Sequence, residues 1–212
     1  MNILIPGGLG YVGSHLTVEL LNRDNTVIIL DNCFNSTENT LLKINCLTGT
    51  NPIFFNGCVS DYSLVSKICS LYAIDLVVYC VSPHSIFKCE FNPKLCQETF
   101  VTPTTTFFTN VKLFGLNRFV YFSSNLDGVI FAKYKRMIEP FLINLNHDND
   151  LNVNIIQHAY PFSTNFNGLL ETNTTERLDW VEKEKVKFIN IEKLIEFYFS
   201  AYNEPGFNIF NI

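Results

Sequence analysis

The chain has 212 residues, of which 47% are hydrophobic, 14% aromatic and 17% charged, with a formal net charge of −5. That is ample apolar material for one large core, which excludes a disordered chain, and the length fits one domain spanning 1–212. An acidic balance without a Lys/Arg cluster argues against nucleic acid as a partner, and no apolar run is long enough to span a bilayer. Met1 leads straight into a predicted strand with no signal peptide, so a cytoplasmic location is expected. The seven cysteines, Cys33, Cys46, Cys58, Cys69, Cys80, Cys89 and Cys96, contain no Cys-x-x-Cys pair and are expected to act as small apolar residues in a reducing compartment. The four histidines lack ligand spacing, so no metal is predicted.

The first predicted element is a short β-branched run, Ile3-Leu4-Ile5, leading directly into Gly7-Gly8-Leu9-Gly10-Tyr11-Val12-Gly13 and an apolar-periodic helix. Strand, glycine turn and helix in that order are the setting a dinucleotide pyrophosphate needs. Gly7 permits a sharp turn off the strand, and Gly10 lets backbone N–H groups approach the phosphates. Gly13 lets the helix lie close to the sheet with its positive end aimed at them. A second strand, Val27-Ile28-Ile29-Leu30, ends in Asp31-Asn32, where a carboxylate can accept both hydroxyls of an adenosine ribose and repel a 2′-phosphate. NAD is therefore the expected cofactor, ahead of NADP.

Residues 35–49 are polar with a helical patch at Leu41, Leu42 and Ile44, Ile53-Phe54-Phe55 reads as a third strand, and Tyr62–Leu71 as a short helix. The unbroken apolar run 76–81 is that of a strand covered on both faces. Asn92-Pro93 is an N-cap with proline at the first helical position, opening a helix to about Leu113. Pro103, among Thr102, Thr104, Thr105 and Thr106, is expected to kink or split it. Residues 119–122 form a fifth strand with Ser123-Ser124 at its end. Residues 133–145 read as a helix with Met137, Ile138, Phe141, Leu142 and Leu145 on one face. After a sixth strand at 152–156 comes a weakly patterned polar stretch, then an amphipathic segment at 191–199 and a last strand at 207–210. Strands alternating with helices predict an α/β, doubly wound parallel sheet of the Rossmann kind.

These residues resemble a known family, the extended short-chain dehydrogenase/reductases, and within it the NAD-dependent epimerases/dehydratases of the UDP-glucose (UDP-galactose) 4-epimerase kind. The resemblance is carried by Gly7 to His15, Asp31-Asn32, Ala73-Ile74-Asp75-Leu76-Val77-Val78 and Phe119 to Ser124. Phe188-Ile189-Asn190-Ile191 and Pro205 to Asn211 extend it near the C-terminus. It implies an NAD site at Gly7, Gly10, Tyr11, Val12, Gly13, Asp31, Asn32, Cys58, Val59, Cys80, Val81, Ser82 and Lys135. It also implies catalysis by a Ser/Thr with a Tyr-x-x-x-Lys pair. The tyrosinate takes a proton from a sugar hydroxyl while hydride passes to the nicotinamide, the lysine lowers the tyrosine pKa, and the serine orients the substrate.

Ser124 and Lys135 match that pattern, but Phe131 stands at the tyrosine position. A phenyl ring has no proton to exchange, and general acid–base catalysis is worth about 10²–10⁴-fold. Tyr134, three residues on, starts a turn away, and nothing near Lys135 in sequence suggests how its amine would lose a proton. Other departures agree: Gly57-Cys58-Val59 lacks the aspartate that recognises adenine, Thr99 or Phe100 replaces an asparagine beside the nicotinamide, and Phe122 replaces a small serine. Residues 125–130 are a short loop where the family has a long one, and 161–187 are a vestige of the substrate-binding region. The expected protein is an NAD-binding, epimerase-like pseudoenzyme with at most weak nucleotide-sugar binding. An active epimerase with a rearranged acid/base and a non-enzymatic interaction domain are the alternatives. A homodimer is weakly expected, because Phe107, Phe108 and Phe114 look exposed and in need of cover.

Overall fold

In the computed structural model, residues 1–83, 92–127, 129–147, 150–162 and 188–212 are described. The chain alternates β1 (Asn2–Pro6), α1 (Tyr11–Leu21), β2 (Thr26–Asp31), α2 (Asn39–Thr48), β3 (Ile53–Asn56), α3 (Tyr62–Leu71) and β4 (Leu76–Tyr79). It continues through α4 (Pro93–Cys96), a π-helical turn (Gln97–Val101), α5 (Thr102–Leu113), β5 (Arg118–Ser124), α6 (Ile130–Arg136), α7 (Ile138–Leu145) and β6 (Asn152–His158). Last come β7 (Tyr160–Phe162), β8 (Phe188–Asn190), α8 (Ile191–Ala201) and β9 (Phe207–Asn211). Seven strands form one parallel sheet in the order β3-β2-β1-β4-β5-β6-β9, and β7 pairs with β8 in a separate parallel ribbon. The strand order reverses between β1 and β4, which opens a crevice at the carboxyl ends of the strands there.

Alternation along each strand sends side chains to two cores. Leu4, Ile28, Val77, Phe119 and Ile155 pack under α3, α5 and α7, and Ile5, Ile29, Val78, Phe122 and Ile156 pack under α1 and α8. This burial answers two expectations. Phe107 and Phe108 are fully buried in the first core and Phe114 packs against it, so the need for a partner to cover them disappears. Met137, placed on the apolar face of its helix, is 48% exposed.

Prolines explain where the helices depart from expectation. Pro140 has no N–H and its ring collides with the carbonyl four residues back, so the helix expected over 133–145 is two helices meeting at Met137, and the first starts at Ile130. Pro103 acts likewise on the turn around Thr99, where the chain relaxes into the π-turn before α5. Asn92 caps the short first piece by accepting from Leu95 N–H at 3.1 Å. The threonines of α5 bond back to the helix, as Thr105 does to the Val101 carbonyl at 3.1 Å and Thr109 to that of Thr105 at 2.9 Å. Strand β4 ends at Tyr79, short of the 76–81 expected. Cys33, Cys46, Cys58, Cys69 and Cys80 are free thiols, but Cys96 is disulfide-bonded, which corrects its reading as a small apolar residue. No helix among the described residues is long and apolar enough to cross a membrane. Most of the expected substrate-region vestige, residues 163–187, lies outside the described residues, as does Cys89.

Candidate active site

The loop between β1 and α1 is built so that backbone meets backbone. Gly7 has φ +76°, and a Cβ there would sit 2.7 Å from the Val81 nitrogen and 2.8 Å from the Cys80 carbonyl carbon. A Cβ on Gly13 would stand 2.3 Å from the Gly7 oxygen, so this position admits no side chain. Gly10 is the N-cap of α1 in extended geometry, and the helical ladder begins with Ser14 N–H donating to its carbonyl at 2.8 Å. The N–H groups of Val12 and Gly13 precede that first bond and point out of the helix N-terminus, where anions are favoured. The side chains of Tyr11 and Val12 are half-buried, and the Tyr11 ring lies 4.8 Å from that of His15.

Asp31, at the end of β2, is 8% exposed. Its Oδ2 accepts from Leu9 N–H at 3.0 Å, while Oδ1 accepts from Cys33 N–H and the Ser36 hydroxyl, both at 2.9 Å. Cys33 adopts φ +55° to bring its N–H to the carboxylate. The chain thus uses both lone pairs of Oδ1 and one of Oδ2. The remaining lone pair can accept one ribose hydroxyl rather than the two expected. Asn32 is exposed and its Oδ1 accepts from Phe34 N–H at 3.1 Å.

Across the switch point, β4, β5 and β6 bring a second set of groups together. Ser124 and His158 are paired in register on β5 and β6, both almost wholly buried. Ser124 Oγ accepts a long bond from Leu126 N–H at 3.4 Å, and Arg136 ties down the Ser124 and Leu126 carbonyls at 3.1 and 2.8 Å. One residue back, Ser123 donates to Glu139, which also accepts from the Gln157 amide on both oxygens, at 3.0 and 2.9 Å, so this buried carboxylate takes three hydrogen bonds beneath the site. The helix α6 is pinned by the Tyr121 hydroxyl donating to the Lys135 carbonyl at 2.8 Å.

Lys135 is 4% exposed, and burial draws its pKa down to about 8, with the Cys80 thiol opposing the shift. Burial pushes Cys80 up to about 12, moderated by the Lys135 charge. Burial, reinforced by Lys135, drives His158 down to about 3. The His158 Nδ1–H donates to the Ala159 carbonyl at 2.6 Å, which leaves Nε2 as a bare acceptor with no hydrogen-bond partner among the described residues. The Tyr198 hydroxyl, whose ring faces Phe122, is likewise buried without one.

Phe131 lies one turn before Lys135 on α6, as the Tyr-x-x-x-Lys spacing requires, and packs on Leu126, Val129, Ala132 and Ala159. Tyr134 turns the other way, into the core beneath α5, with its hydroxyl donating to the Pro93 carbonyl at 3.2 Å. Of the remaining expected residues, Val59 is buried core, Val81 is half-buried beside Gly7, Ser82 is exposed, and Cys58 is exposed with Sγ 3.1 Å from the Ser60 hydroxyl. Thr99 is exposed, whereas Phe100 and Phe122 are buried in opposite cores. His158 escaped the sequence reading; the signal that could have found it is its place at a strand's carboxyl end, like Ser124. Among the described residues no three His, Cys, Asp or Glu side chains could hold a metal ion.

A parallel sheet with its switch point at β1/β4 and a glycine turn that no Cβ can enter define the class: a Rossmann-type α/β protein. The chain belongs to the NAD dependent epimerase/dehydratase family, whose profile matches residues 3–152. UDP-glucose 4-epimerase of Erwinia amylovora is 32% identical over 124 residues, 58% of this chain and 37% of that protein. UDP-glucose 4-epimerase of Bacillus subtilis (strain 168) is 26% identical over 186 residues, 79% of this chain and 55% of that one. This chain therefore spans 37% and 55% of these two relatives. The solved UDP-glucose-4-epimerase of Stenotrophomonas maltophila, with bound NAD and formylated UDP-arabinopyranose, superposes with TM-score 0.87 at 19% identity, over 100% of this chain and 77% of that one. The Bifidobacterium longum enzyme in complex with NAD+ and UDP gives TM-score 0.87 at 18% identity, over 100% and 78%. At such identities the likeness is one of fold.

Proposed function

We propose that this chain is an NAD-binding, UDP-glucose 4-epimerase-like protein that does not turn over sugar nucleotides. The cofactor half of the reading is supported by the cradle at Gly7 and Gly13, the helix N-terminus behind it, and the lone pair that Asp31 retains. When bound, NAD would supply a hydride acceptor. The observation that carries the inactive half is Phe131, which holds the tyrosine's place one turn before Lys135 and keeps its ring in an apolar cluster. Ser124 is a poor replacement for the missing phenol, because its alcohol pKa is high and the neighbouring His158 imidazole, which burial draws down to about 3, is too weak a base to take its proton. Tyr134 spends its hydroxyl on Pro93. The nucleotide-sugar, on this reading, is bound weakly or not at all.

The test is to incubate the protein with NAD and UDP-galactose or UDP-glucose and to separate the products by chromatography. The expected result is no interconversion above a buffer control, and little gain from Phe131→Tyr alone, because the short 125–130 loop remains. Turnover at an ordinary enzymatic rate refutes it. One observation favours the second reading, an epimerase with a rearranged acid/base: the Lys135 amine, at about 8, is available as a base in mildly alkaline solution. That reading requires a rate that rises with pH through about 8 and is lost in Lys135→Met.

A further inference from the structure

We propose that the outer edge of β9 pairs with β9 of a second copy of this chain, joining the two sheets into one across a two-fold axis. Strand β9 ends the sheet order, so β6 covers one of its edges. Val153 N–H donates to the Gly206 carbonyl at 2.9 Å, and Ile212 N–H to that of Gln157 at 3.0 Å. In a parallel ladder alternate residues face one neighbour, so Asn208 and Phe210 also turn their backbone groups to β6. Phe207, Ile209 and Asn211 then aim their N–H and C=O groups away from it. That side is open to solvent: Ile209, at the middle of the strand, is 48% exposed, and Asn211 is exposed too.

The two edges of the sheet differ in protection. At the other edge, Gly57 N–H donates to the Asp31 carbonyl, so Ile53 and Phe55 face β2 and Pro52 falls in the outward register, where it has no N–H to offer. Beside it, outward-facing Asn56 is engaged by the Glu38 carboxylate at 3.1 Å. A short strand, a proline and a charge are what keep sheet edges from pairing. Strand β9, Phe-Asn-Ile-Phe-Asn, has no proline, no charge and an unbroken register with β6, so nothing in it resists a further strand. What that edge fits is its own copy. Antiparallel pairing centred on Ile209 sets this residue opposite itself and Phe207 opposite Asn211 of the second copy, so each outward N–H meets an outward C=O. Two chains of net charge −5 repel elsewhere, but this neutral edge lets them meet without like charges opposed. The contact lies apart from Phe107, Phe108 and Phe114, whose burial left no reason for a partner there. One strand pair buries less than a stable complex does, so the dimer is a weak one that fills with rising concentration. It closes as a dimer, because the blocked β3 edge cannot continue the sheet.

The test is sedimentation of the 212-residue chain from about 5 to about 500 μM, a range that a weak interface spans. The average mass is expected to climb from monomer toward dimer and to stop there. Ile209→Pro removes an outward N–H and none from the β6–β9 ladder, so the urea midpoint should hold while association weakens by about tenfold or more. Ile209→Lys keeps every N–H but sets like charges against each other across the axis, so association is lost at low salt and partly restored at about 1 M. A chain that stays monomeric over the whole range overturns the inference, as does a dimer that survives Ile209→Pro with its affinity unchanged. Growth past the dimer overturns it too, as does an Ile209→Lys variant whose association ignores salt.

Discussion

The two sides of the switch point are built on different principles. On the β1–β2 side, the critical contacts are made by backbone and by one carboxylate whose hydrogen bonds the loop itself supplies. On the β4–β5–β6 side, the groups that matter are side chains, and two of them, His158 Nε2 and the Tyr198 hydroxyl, are buried without hydrogen bonds among the described residues. Gly7 and Gly13 cannot take a side chain without backbone collision. A constellation of side chains can lose one member and still pack, as we propose for Phe131. On the proposed reading, the fold therefore protects dinucleotide binding and leaves the proton chemistry open to loss.

The sharpest break in that contrast is Gly13→Val. Its Cβ would lie 2.3 Å from the Gly7 oxygen, so the loop must open. The expected cost is about 1–3 kcal/mol of stability, with loss of binding to NAD and ADP-ribose, read by urea denaturation and calorimetry. Retained binding would show that the loop does not form the cradle.

Lys135→Met probes the other side, and here the expected change is a gain. A lysine at about 8 in the folded state and 10.5 unfolded binds its proton less well when folded. The folded state therefore carries a penalty of about 3 kcal/mol that is full below pH ~8 and relieved as pH rises toward about 10.5. The variant should be more stable than the parent near pH 7 by up to that amount, and the difference should shrink with rising pH. A variant less stable at pH 7 would mean that the ammonium has a partner. A smaller effect is expected at exposed Cys58, which the family resemblance sets beside the adenine: Cys58→Asp adds a carboxylate acceptor and should tighten NAD by about fivefold, the worth of one hydrogen bond.

The same contrast governs what could be read in advance. The glycine turn, Asp31 and the α/β alternation are local signals, each fixed by residues a few positions apart, and the parallel sheet follows from them. The π-turn and the break at Met137 were half legible: Pro103 announced the first, and Pro140 announces the second once its carbonyl four residues back is considered. Phe107 and Phe108 were misplaced because helical spacing alone does not say which face meets the sheet. Ser123, Glu139 and Gln157, or Ser124, Lys135 and His158, are brought together only by pairing β5 with β6 and packing α6 and α7 on them, so neither their burial nor the lowered Lys135 pKa is visible in the sequence.

We propose that binding rests on the adenosine side of the crevice, with little added by the nicotinamide side. Calorimetric titration with ADP-ribose beside NAD+, at about pH 7, tests it directly. ADP-ribose, which lacks the nicotinamide, is expected to bind about as tightly as NAD+. NAD+ binding tenfold tighter than ADP-ribose would contradict it.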